Sequence, residues 1–522
     1  MDRLQRNLIG RVNVADALTR SAAARPAQVA VVDGDRSLTY PELDAWVSRL
    51  ARGLAARGYA RGDALALASG NSAEFLAVYY ACARLGLVCV PVNPGWRPDE
   101  VAWVLGHSRA RGIVVESQLV AALAPAWAQV PAVADVFVAP GTGGPSGGGT
   151  PLAELETGGG PVEVLVEDRD PLSYLYTSGT TSFPKGVATS HLAITMESFS
   201  AALDSGWSAA DRFLAMMPMF HTAQLNAFCT PAVLLGATIH VARGFEPGAF
   251  LDTVECERIT QVFGLPMMYR AALEHASFAG RDLSSLRRAV YAMAPMPEPL
   301  IRACLDGFGC DFALLFGQTE MSPCTTLFRP EHQLSHVGAV GTPITGVQVA
   351  IMDEGGALLG AGEQGEIVYR GPSTMTGYLD DEAATDEAFR HGWFHSGDIG
   401  SFGEDGVLWF ADRSKDVIKT GGENVASLEV ERAVHAAAPD VAEVVVVGLP
   451  HARWSEAVTA VVVPRPGATI DPDALVAALK GHLDGYKVPK SVIVVDELPR
   501  TSTGKIRKNV VRDAHTGHYG GR

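Results

Sequence analysis

One stretch of the chain, residues 174–187 with the sequence YLYTSGTTSFPKGV, combines the residue types that can hold a polyphosphate. Its hydroxyl side chains and glycine backbone can donate hydrogen bonds to phosphate oxygens, and Lys185 adds a positive charge. The chain enters this loop from an apolar run at 172–176. The stretch is not a Walker A loop, because Pro184 precedes the lysine and Gly186 follows it. Composition alone also allows a solvated turn.

Other polar strings follow along the chain. They are PMFH at 218–221, FGQTE at 316–320, FHSGD at 394–398, DRSKDVIKTGGENV at 412–425 and PRTSTGKIRK at 499–508. In this order and at these separations, the strings together resemble the adenylate-forming enzymes, which include acyl-CoA synthetases, carrier-protein adenylation domains and luciferases. The resemblance spans nearly the whole chain and is strongest to an acyl-CoA synthetase.

The resemblance implies a grip on the β- and γ-phosphates of ATP by Thr177, Ser178, Gly179, Thr180, Thr181 and Lys185. Ser182 departs from the family, which usually has glycine there, and a positive φ would strain a serine. Glu320 matches a Mg²⁺ ligand, with Thr177 as a second metal contact. One carboxylate combined with substrate phosphates suits Mg²⁺. As a bare string, however, a Thr-Glu pair is more often a solvated turn.

The same resemblance places adenine and the α-phosphate beside Ala294, Pro295, Phe316, Gly317, Gln318 and Thr319. Asp398 would bind both ribose hydroxyls, since a carboxylate can accept two hydrogen bonds, and Arg413 would donate to the same sugar. Lys505 matches the lysine that bridges the substrate carboxylate and the α-phosphate. At ~4 Å and an effective dielectric of ~20, such a charge pair is worth roughly 4 kcal/mol. On this resemblance, the predicted catalytic residues are Lys505, Glu320 and His221.

For the second half-reaction, the resemblance implies that coenzyme A approaches through the loop containing Lys419, Gly421 and Gly422. Two glycines leave backbone that a pantetheine arm can pass closely. His221 would position the acyl group beside the thiol, although a packed core histidine is the alternative interpretation. Free coenzyme A is favoured over a carrier protein because no carrier domain follows in the chain, and loading of a separate carrier remains open.

The resemblance implies an acyl pocket built around 220–229, 291–297 and 316–324, and the first two of these segments carry no charge apart from a protonated His221. They read FHTAQLNAFC at 220–229 and YAMAPMP at 291–297. A second substrate carboxylate would be buried without a partner, which costs several kcal/mol. No aspartate follows His221 to hold the ammonium of an α-amino acid, as amino-acid-activating relatives commonly have. The expected substrate is a hydrophobic monocarboxylic acid, whether aliphatic, aromatic or polycyclic.

The elements that must position these residues follow from the hydrophobic pattern. A capping box at Thr39 and Glu42 begins a helix, and a strand at 64–68, a helix around 74–85 and a strand at 88–92 predict a parallel βαβ unit. Residues 139–160, rich in Gly, Pro and Thr, predict an exposed connection without packed residues. After residue 412, valine-rich strands near 444–447, 458–463 and 492–495 alternate with helices near 427–437 and 472–483.

The predicted fold class is α/β, with a large multi-subdomain amino-terminal α/β domain at 1–411 and a small mobile α+β carboxyl-terminal lid at 412–522. The resemblance, and not composition, places the hinge at Asp412. A length of 522 residues allows two to four domains.

The net charge of −16 argues against nonspecific binding to nucleic acid or anionic membranes. Seven cysteines form no CxxC pair, which favours reduced thiols, and neither a signal peptide nor a membrane span is visible. We therefore expect a cytoplasmic protein, either monomer or homodimer. Two further alternatives are a luciferase-like oxygenase and a noncatalytic nucleotide-binding relative. Ser182 suggests the second, whereas Lys505, Glu320 and Asp398 argue against it.

Overall fold

The computed structural model of the protein describes residues 1–141, 148–177, 184–292, 296–500 and 506–519. Its helices are α1 (Arg3–Gly10), α2 (Val14–Ala24), α3 (Tyr40–Ala56), α4 (Ala73–Leu85), α5 (Pro98–His107), α6 (Val120–Trp127), α7 (His191–Asp204), α8 (Thr222–Gln224), α9 (Thr230–Leu235), α10 (Pro247–Cys256), α11 (Pro266–Leu273), α12 (Glu298–Phe308), α13 (Glu382–Ala388), α14 (Ser427–Ala437), α15 (Pro472–Leu479) and α16 (Lys508–His515).

The strands are β1 (Val29–Asp33), β2 (Arg36–Thr39), β3 (Ala64–Ala68), β4 (Val88–Pro91), β5 (Ala110–Glu116), β6 (Asp135–Ala139), β7 (Thr150–Pro151), β8 (Pro171–Thr177), β9 (Lys185–Ser190), β10 (Arg212–Ala215), β11 (Thr238–Val241), β12 (Gln261–Gly264), β13 (Arg288–Tyr291), β14 (Asp311–Gly317), β15 (Cys324–Phe328), β16 (Ala339–Pro343), β17 (Gln348–Met352), β18 (Gly365–Arg370), β19 (Gly377–Tyr378), β20 (Phe394–Phe402), β21 (Leu408–Arg413), β22 (Ile418–Thr420), β23 (Glu423–Val425), β24 (Val441–His451), β25 (Ser455–Pro464) and β26 (Ser491–Val494).

The chain forms two compact units. The first comprises residues 1–349 and 369–394, and the second comprises 350–368 and 395–522. The predicted hinge residue Asp412 lies in the second unit, where its side chain is buried and accepts hydrogen bonds from the backbone N–H groups of Arg413, at 2.8 Å, and Ser427. The domain boundary at 411/412 and the mobility of the lid stay predictions.

Two sheets of the first unit position the phosphate and adenine strings. One has the strand order β19-β9-β8-β4-β3-β5-β6-β7, and the other includes the run β16-β15-β14-β13-β12-β10-β11-β1-β2. The pairs β3–β4, β12–β13 and β13–β14 are parallel, and helices connect these strands. The predicted α/β class is therefore confirmed. In open parallel sheets, ligands bind at the carboxyl ends of the strands.

The predicted βαβ unit is present. Thr39 accepts from the backbone N–H of Glu42, and the Glu42 carboxylate accepts from the backbone N–H of Thr39, which starts α3 as a capping box. Every residue of β3 and of α4 is buried, as expected for a strand and a helix at the centre of a two-sided α/β core.

The Gly- and Pro-rich connection at 139–160 is more ordered in its second part than the sequence predicts. Strand β7 pairs with β6, and Leu152 and Leu155 are buried. Gly53 of α3 allows this close approach, because a Cβ there would lie 1.7 Å from the carbonyl oxygen of Leu155. For the described residues 148–155, the expectation of a connection without packed side chains is wrong; residues 142–147 lie outside the described residues.

The second unit contains the predicted valine-rich strands. Strand β24 pairs antiparallel with β25, β26 pairs parallel with β25, and α14 and α15 cover a core that includes Val444, Val446 and Val458. In the described parts of the chain, no helix is long and apolar enough to cross a membrane, and the seven cysteines are free thiols.

Candidate active site

The phosphate string lies on a β-hairpin. Thr177 ends β8 and pairs with Lys185, which begins β9, so the two residues flank the loop between the strands. The remaining predicted phosphate ligands lie outside the described residues, namely Ser178, Gly179, Thr180 and Thr181, as does the atypical Ser182. The hairpin brings both ends of the predicted loop to one place.

Lys185 is held by neighbours that the sequence did not indicate. Its Nζ lies 3.5 Å from the Asp381 carboxylate and 5.0 Å from the centroid of the Tyr378 ring. The lysine side chain keeps about a third of its surface exposed, at 32%. An exposed ammonium group beside the loop can pair with a phosphate oxygen.

Glu320, the predicted metal ligand, lies on the same side of the unit. Its Oε1 accepts a hydrogen bond from the Tyr378 hydroxyl at 3.0 Å, and its backbone carbonyl accepts from the N–H of Met375 at 2.7 Å. Burial, and secondly the Glu320 carboxylate, raise the pKa of Tyr378 far above its usual value, so the phenol keeps its proton as a donor. One tyrosine therefore contacts both Glu320 and Lys185.

A cation at Glu320 would draw most of its ligands from the nucleotide. The described residues contain no group of three or more His, Cys, Asp or Glu side chains that could hold a metal alone. One half-buried carboxylate, combined with phosphate oxygens, fits Mg²⁺ better than a metal that requires a complete protein cage. Thr177 as a second metal contact stays a prediction.

The turn after β14 carries the described residues that are predicted to contact adenine. Phe316 and Gly317 end the strand, and the N–H of Gln318 donates to the carbonyl of Pro323 at 2.9 Å. A Cβ at Gly317 would lie 1.9 Å from that carbonyl oxygen, so this close turn requires glycine. The Gln318 side-chain Nε2 is buried without a hydrogen-bond partner among the described residues. Such a donor is satisfied if a ligand presents an acceptor, as adenine does.

Thr319 and Glu320 follow in a single 3₁₀ turn, Thr319–Met321, with Thr319 buried. This turn is continuous with the predicted adenine residues and so brings the predicted α-phosphate and metal residues beside them. Ala294 and Pro295 lie outside the described residues.

The predicted ribose residues meet in the second unit. Strands β20 and β21 are antiparallel, and their register places Asp398 opposite Arg413. The guanidinium Nε of Arg413 lies 3.2 Å from the buried Asp398 carboxylate, while the arginine side chain is 46% exposed. Two residues fifteen positions apart along the chain thus become a cation–carboxylate pair that can present both charges to a sugar.

The GGEN loop is a tight turn between β22 and β23. Lys419 pairs with Asn424, and Gly421 and Gly422 have φ values of +61° and +92°. A Cβ at Gly421 would lie 3.0 Å from the Trp454 ring, whereas one at Gly422 would meet no atom of the described residues within 4 Å. Gly422 therefore lies on the side of the turn that the described residues leave open. Lys505, the predicted catalytic lysine, lies outside the described residues.

His221 is the N-cap residue of the short helix α8 and directly precedes Thr222. Its Nδ1 accepts from the backbone N–H of Ala223 at 3.2 Å, so the ring caps the helix, and it is half-buried. A capping role agrees with positioning and assigns no base function. Whether His221 touches the acyl group stays a prediction.

The polar residues that follow His221 are bonded within the protein. Asn226 Nδ2 donates to Thr222 Oγ1 at 3.0 Å, and Asn226 Oδ1 accepts from the Tyr79 hydroxyl at 3.3 Å. Gln224 Oε1 accepts from the backbone N–H of Met217 at 3.2 Å. The segment 220–229 therefore offers little polar capacity to a second charged group on a substrate.

Sequence reasoning missed two residues near the site. Tyr378 follows a glycine in a turn-rich stretch, and no periodic pattern marks it. Glu197 lies fully buried in α7, where its Oε1 accepts from the backbone N–H of Cys324 at 3.3 Å, and burial raises its pKa to about 8. A lone charged residue in an otherwise apolar helix face was the available signal for Glu197.

Comparison with known proteins identifies the family of the chain. The sequence model described as AMP-binding enzyme matches residues 18–379, and that of the AMP-binding enzyme C-terminal domain matches residues 429–505. A feruloyl-CoA synthase from Amycolatopsis sp is 38% identical over 94% of this chain and 97% of its own length. An indoleacetate–CoA ligase from Aromatoleum aromaticum is 36% identical over 95% of this chain and 96% of its own.

A solved structure gives the same result for the fold. The ATP-bound MatB of Rhodopseudomonas palustris superposes with a TM-score of 0.88 and 30% identity, covering 97% of this chain and 100% of that protein. The resemblance drawn from the six strings is thereby confirmed: the chain belongs to the AMP-binding enzyme family of adenylate-forming enzymes, and within it is most like the acyl-CoA synthetases.

Proposed function

We propose that the chain joins a hydrophobic aromatic monocarboxylic acid to coenzyme A, through an acyl-adenylate made from ATP. Acyl-CoA synthetases of this family use ATP, Mg²⁺ and coenzyme A. The relatives named above act, by their names, on ferulic and indoleacetic acids, both aromatic monocarboxylates. Within the hydrophobic acids that the sequence predicts, we therefore propose aromatic acids as the substrates.

The first half-reaction brings a carboxylate to the α-phosphorus of ATP, and its main obstacle is the repulsion between two anions. Lys185 would hold the departing pyrophosphate, and the Asp398–Arg413 pair would fix the ribose. Glu320 would hold Mg²⁺, which when bound neutralises charge on the phosphates. Lys505 would offset the charge of the attacking carboxylate. The loop with Gly421 and Gly422 would then admit the pantetheine thiol.

The proposed substrate class rests on the composition and the internal hydrogen bonds of segment 220–229. It contains no Asp, Glu, Lys or Arg, and the amide and hydroxyl groups of Thr222, Gln224 and Asn226 are already engaged within the protein. A dicarboxylate or an amino acid would bury a second charge beside these groups without compensation. An apolar acid avoids that cost.

The test is acid-dependent exchange of pyrophosphate into ATP, followed by detection of the thioester by mass spectrometry. The panel contains ferulate, indoleacetate, a long-chain fatty acid, malonate and phenylalanine, each with coenzyme A. We expect exchange and thioester with the aromatic monocarboxylates and neither with malonate nor phenylalanine. The Lys505→Ala chain serves as the control for contaminating activity.

Three results would contradict the proposal. Exchange with malonate or phenylalanine would refute the substrate class. Exchange without thioester formation, but with acylation of an added carrier protein, would make the chain a carrier-loading ligase. Absence of exchange with every acid would favour a noncatalytic nucleotide-binding relative.

A further inference from the structure

The two-residue strand β19 ties a distant part of the chain to the phosphate hairpin. Gly377 and Tyr378 pair antiparallel with Ala188 and Val187 of β9. On either side of this pair, the N–H of Thr376 donates to the carbonyl of Ala188, and the N–H of Leu379 donates to the carbonyl of Gly186, both at 2.8 Å. The segment 376–379 is therefore fixed along the residues that directly follow Lys185.

This attachment gives Tyr378 its place between two charged groups. The hydroxyl donates to Glu320 Oε1 at 3.0 Å, and the ring centroid lies 5.0 Å from Lys185 Nζ. The backbone N–H of Tyr378 donates to Thr385 Oγ1 at 2.9 Å, which limits movement of the residue itself. A single half-buried side chain thus touches the carboxylate and the ammonium group together.

The arrangement also keeps these two charges apart. Among the residues that the structure describes, no ion pair joins Lys185 to Glu320, and the lysine pairs with Asp381 at 3.5 Å instead. An ammonium group seated on the Glu320 carboxylate would compete with a cation for the same oxygens. A neutral phenol orients one carboxylate oxygen without removing its charge.

We propose that Tyr378 is a positioning residue for the metal carboxylate: its hydroxyl sets the orientation of Glu320, and its ring holds Lys185 toward the phosphates and away from Glu320. The inference rests on the proposed role of Glu320 as a Mg²⁺ ligand. Magnesium requires nearly ideal octahedral geometry, so a ligand with a loose orientation binds it less well.

The test separates the hydroxyl from the ring. Tyr378→Phe removes the hydrogen bond and keeps the ring beneath Lys185, so the half-saturating Mg²⁺ concentration in pyrophosphate exchange should rise about tenfold. The ATP dissociation constant, measured by calorimetry in EDTA, should stay the same, and the Mg²⁺-dependent gain in ATP affinity should shrink. Tyr378→Leu removes the ring as well, and it should weaken ATP binding even in EDTA.

Tyr59→Phe is the matched control, because the Tyr59 hydroxyl also donates to a carboxylate, that of Asp135 at 3.1 Å, and neither residue belongs to the predicted site. Its Mg²⁺ requirement should equal that of the wild type. The melting temperature of each unliganded variant shows whether it is folded, and the calorimetric readout needs no catalytic turnover.

Glu320→Gln distinguishes failure of the inference from failure of the proposed function. If Glu320→Gln raises the Mg²⁺ requirement and Tyr378→Phe does not, Tyr378 has no positioning role. If Glu320→Gln leaves the requirement unchanged, Glu320 is not the metal ligand, and both statements are wrong. A loss of rate in Tyr378→Phe that persists at saturating Mg²⁺, with an unchanged half-saturating concentration, would likewise overturn the inference.

Discussion

Replacing the buried carboxyl of Glu197 by an amide should change how the stability of the protein depends on pH. Glu197 is fully buried in α7, its Oε1 accepts from the backbone N–H of Cys324, and its Oε2 has no hydrogen-bond partner among the described residues. Burial raises the pKa of this carboxyl from 4.5 to about 8. At neutral pH the folded protein therefore holds a proton on Glu197 that the unfolded chain releases.

The sign and size follow from proton linkage. Below about pH 4.5 both states are protonated, and above about pH 8 both are ionised, so the stability changes between these limits. In that window the folded state binds one more proton, and its stability falls as the pH rises, by about 1.4 kcal/mol per pH unit. From pH 5.5 to 7.0 the loss is about 2 kcal/mol. Glu197→Gln removes this contribution, because an amide does not titrate, and it leaves every other ionisable side chain in place.

The assay is chemical and thermal unfolding of wild type and Glu197→Gln at pH 5.5, 6.25 and 7.0. The stability of the variant relative to wild type should increase with pH by about 2 kcal/mol over this range. Glu74→Gln is the control, since Glu74 is also buried but pairs with Arg36 at 2.8 Å. That variant loses an ion pair and should be less stable than wild type at neutral pH. A constant difference between Glu197→Gln and wild type across the range would refute the reasoning.

The other predictions concern the residues of the reaction. Lys505→Ala should slow adenylation about a hundredfold or more and affect thiolysis of supplied acyl-adenylate much less, because the family resemblance assigns this cation to the α-phosphate and the attacking carboxylate of the first half-reaction; equal losses in both assays would contradict this role. Gly422→Trp should spare pyrophosphate exchange and block thioester formation, since the added ring projects into open space beside the turn, and normal thioester synthesis would show that the thiol enters elsewhere. Asp398→Asn should raise the KM for ATP about tenfold through the loss of a charged acceptor, and the rise should be smaller with 2′-deoxy-ATP, which lacks one of the two hydroxyls; an equal rise with both nucleotides would speak against a contact to the 2′-hydroxyl. Ser182→Gly should tighten ATP binding about fivefold if serine is strained at this position, and weaker binding would make Ser182 a phosphate ligand.

The loop of the phosphate string was recognisable from the sequence because its residue types follow one another within a short stretch after an apolar run. That its two ends form a hairpin, with Thr177 paired antiparallel with Lys185, was shown only by the structure. The capping box at Thr39 was also recognisable from the sequence, because all its partners lie within one helical turn. Chemistry that depends on neighbours along the chain can be predicted from residue types and spacing.

The family resemblance predicted which residues distant in sequence act together at the site. For one such pair, the structure supplied a physical reason. Asp398 and Arg413 are both polar residues in turn-rich strings, and nothing in their spacing alone predicts contact. The register of β20 against β21 places them opposite each other, at 3.2 Å. A shift of that register by one residue would turn the two side chains to opposite faces.

Contacts that depend only on tertiary structure escaped the sequence entirely. Tyr378 reaches Glu320 because a strand of two residues adds to the edge of β9, and a strand so short has no recognisable period. Glu197 meets Cys324 across 127 positions of sequence, and its burial, which raises its pKa, comes from elements packed around α7. The sequence thus determined the family and the local elements and predicted the phosphate ligands, whereas packing alone decided which side chain contacts Glu320 and which carboxyl is buried with a raised pKa.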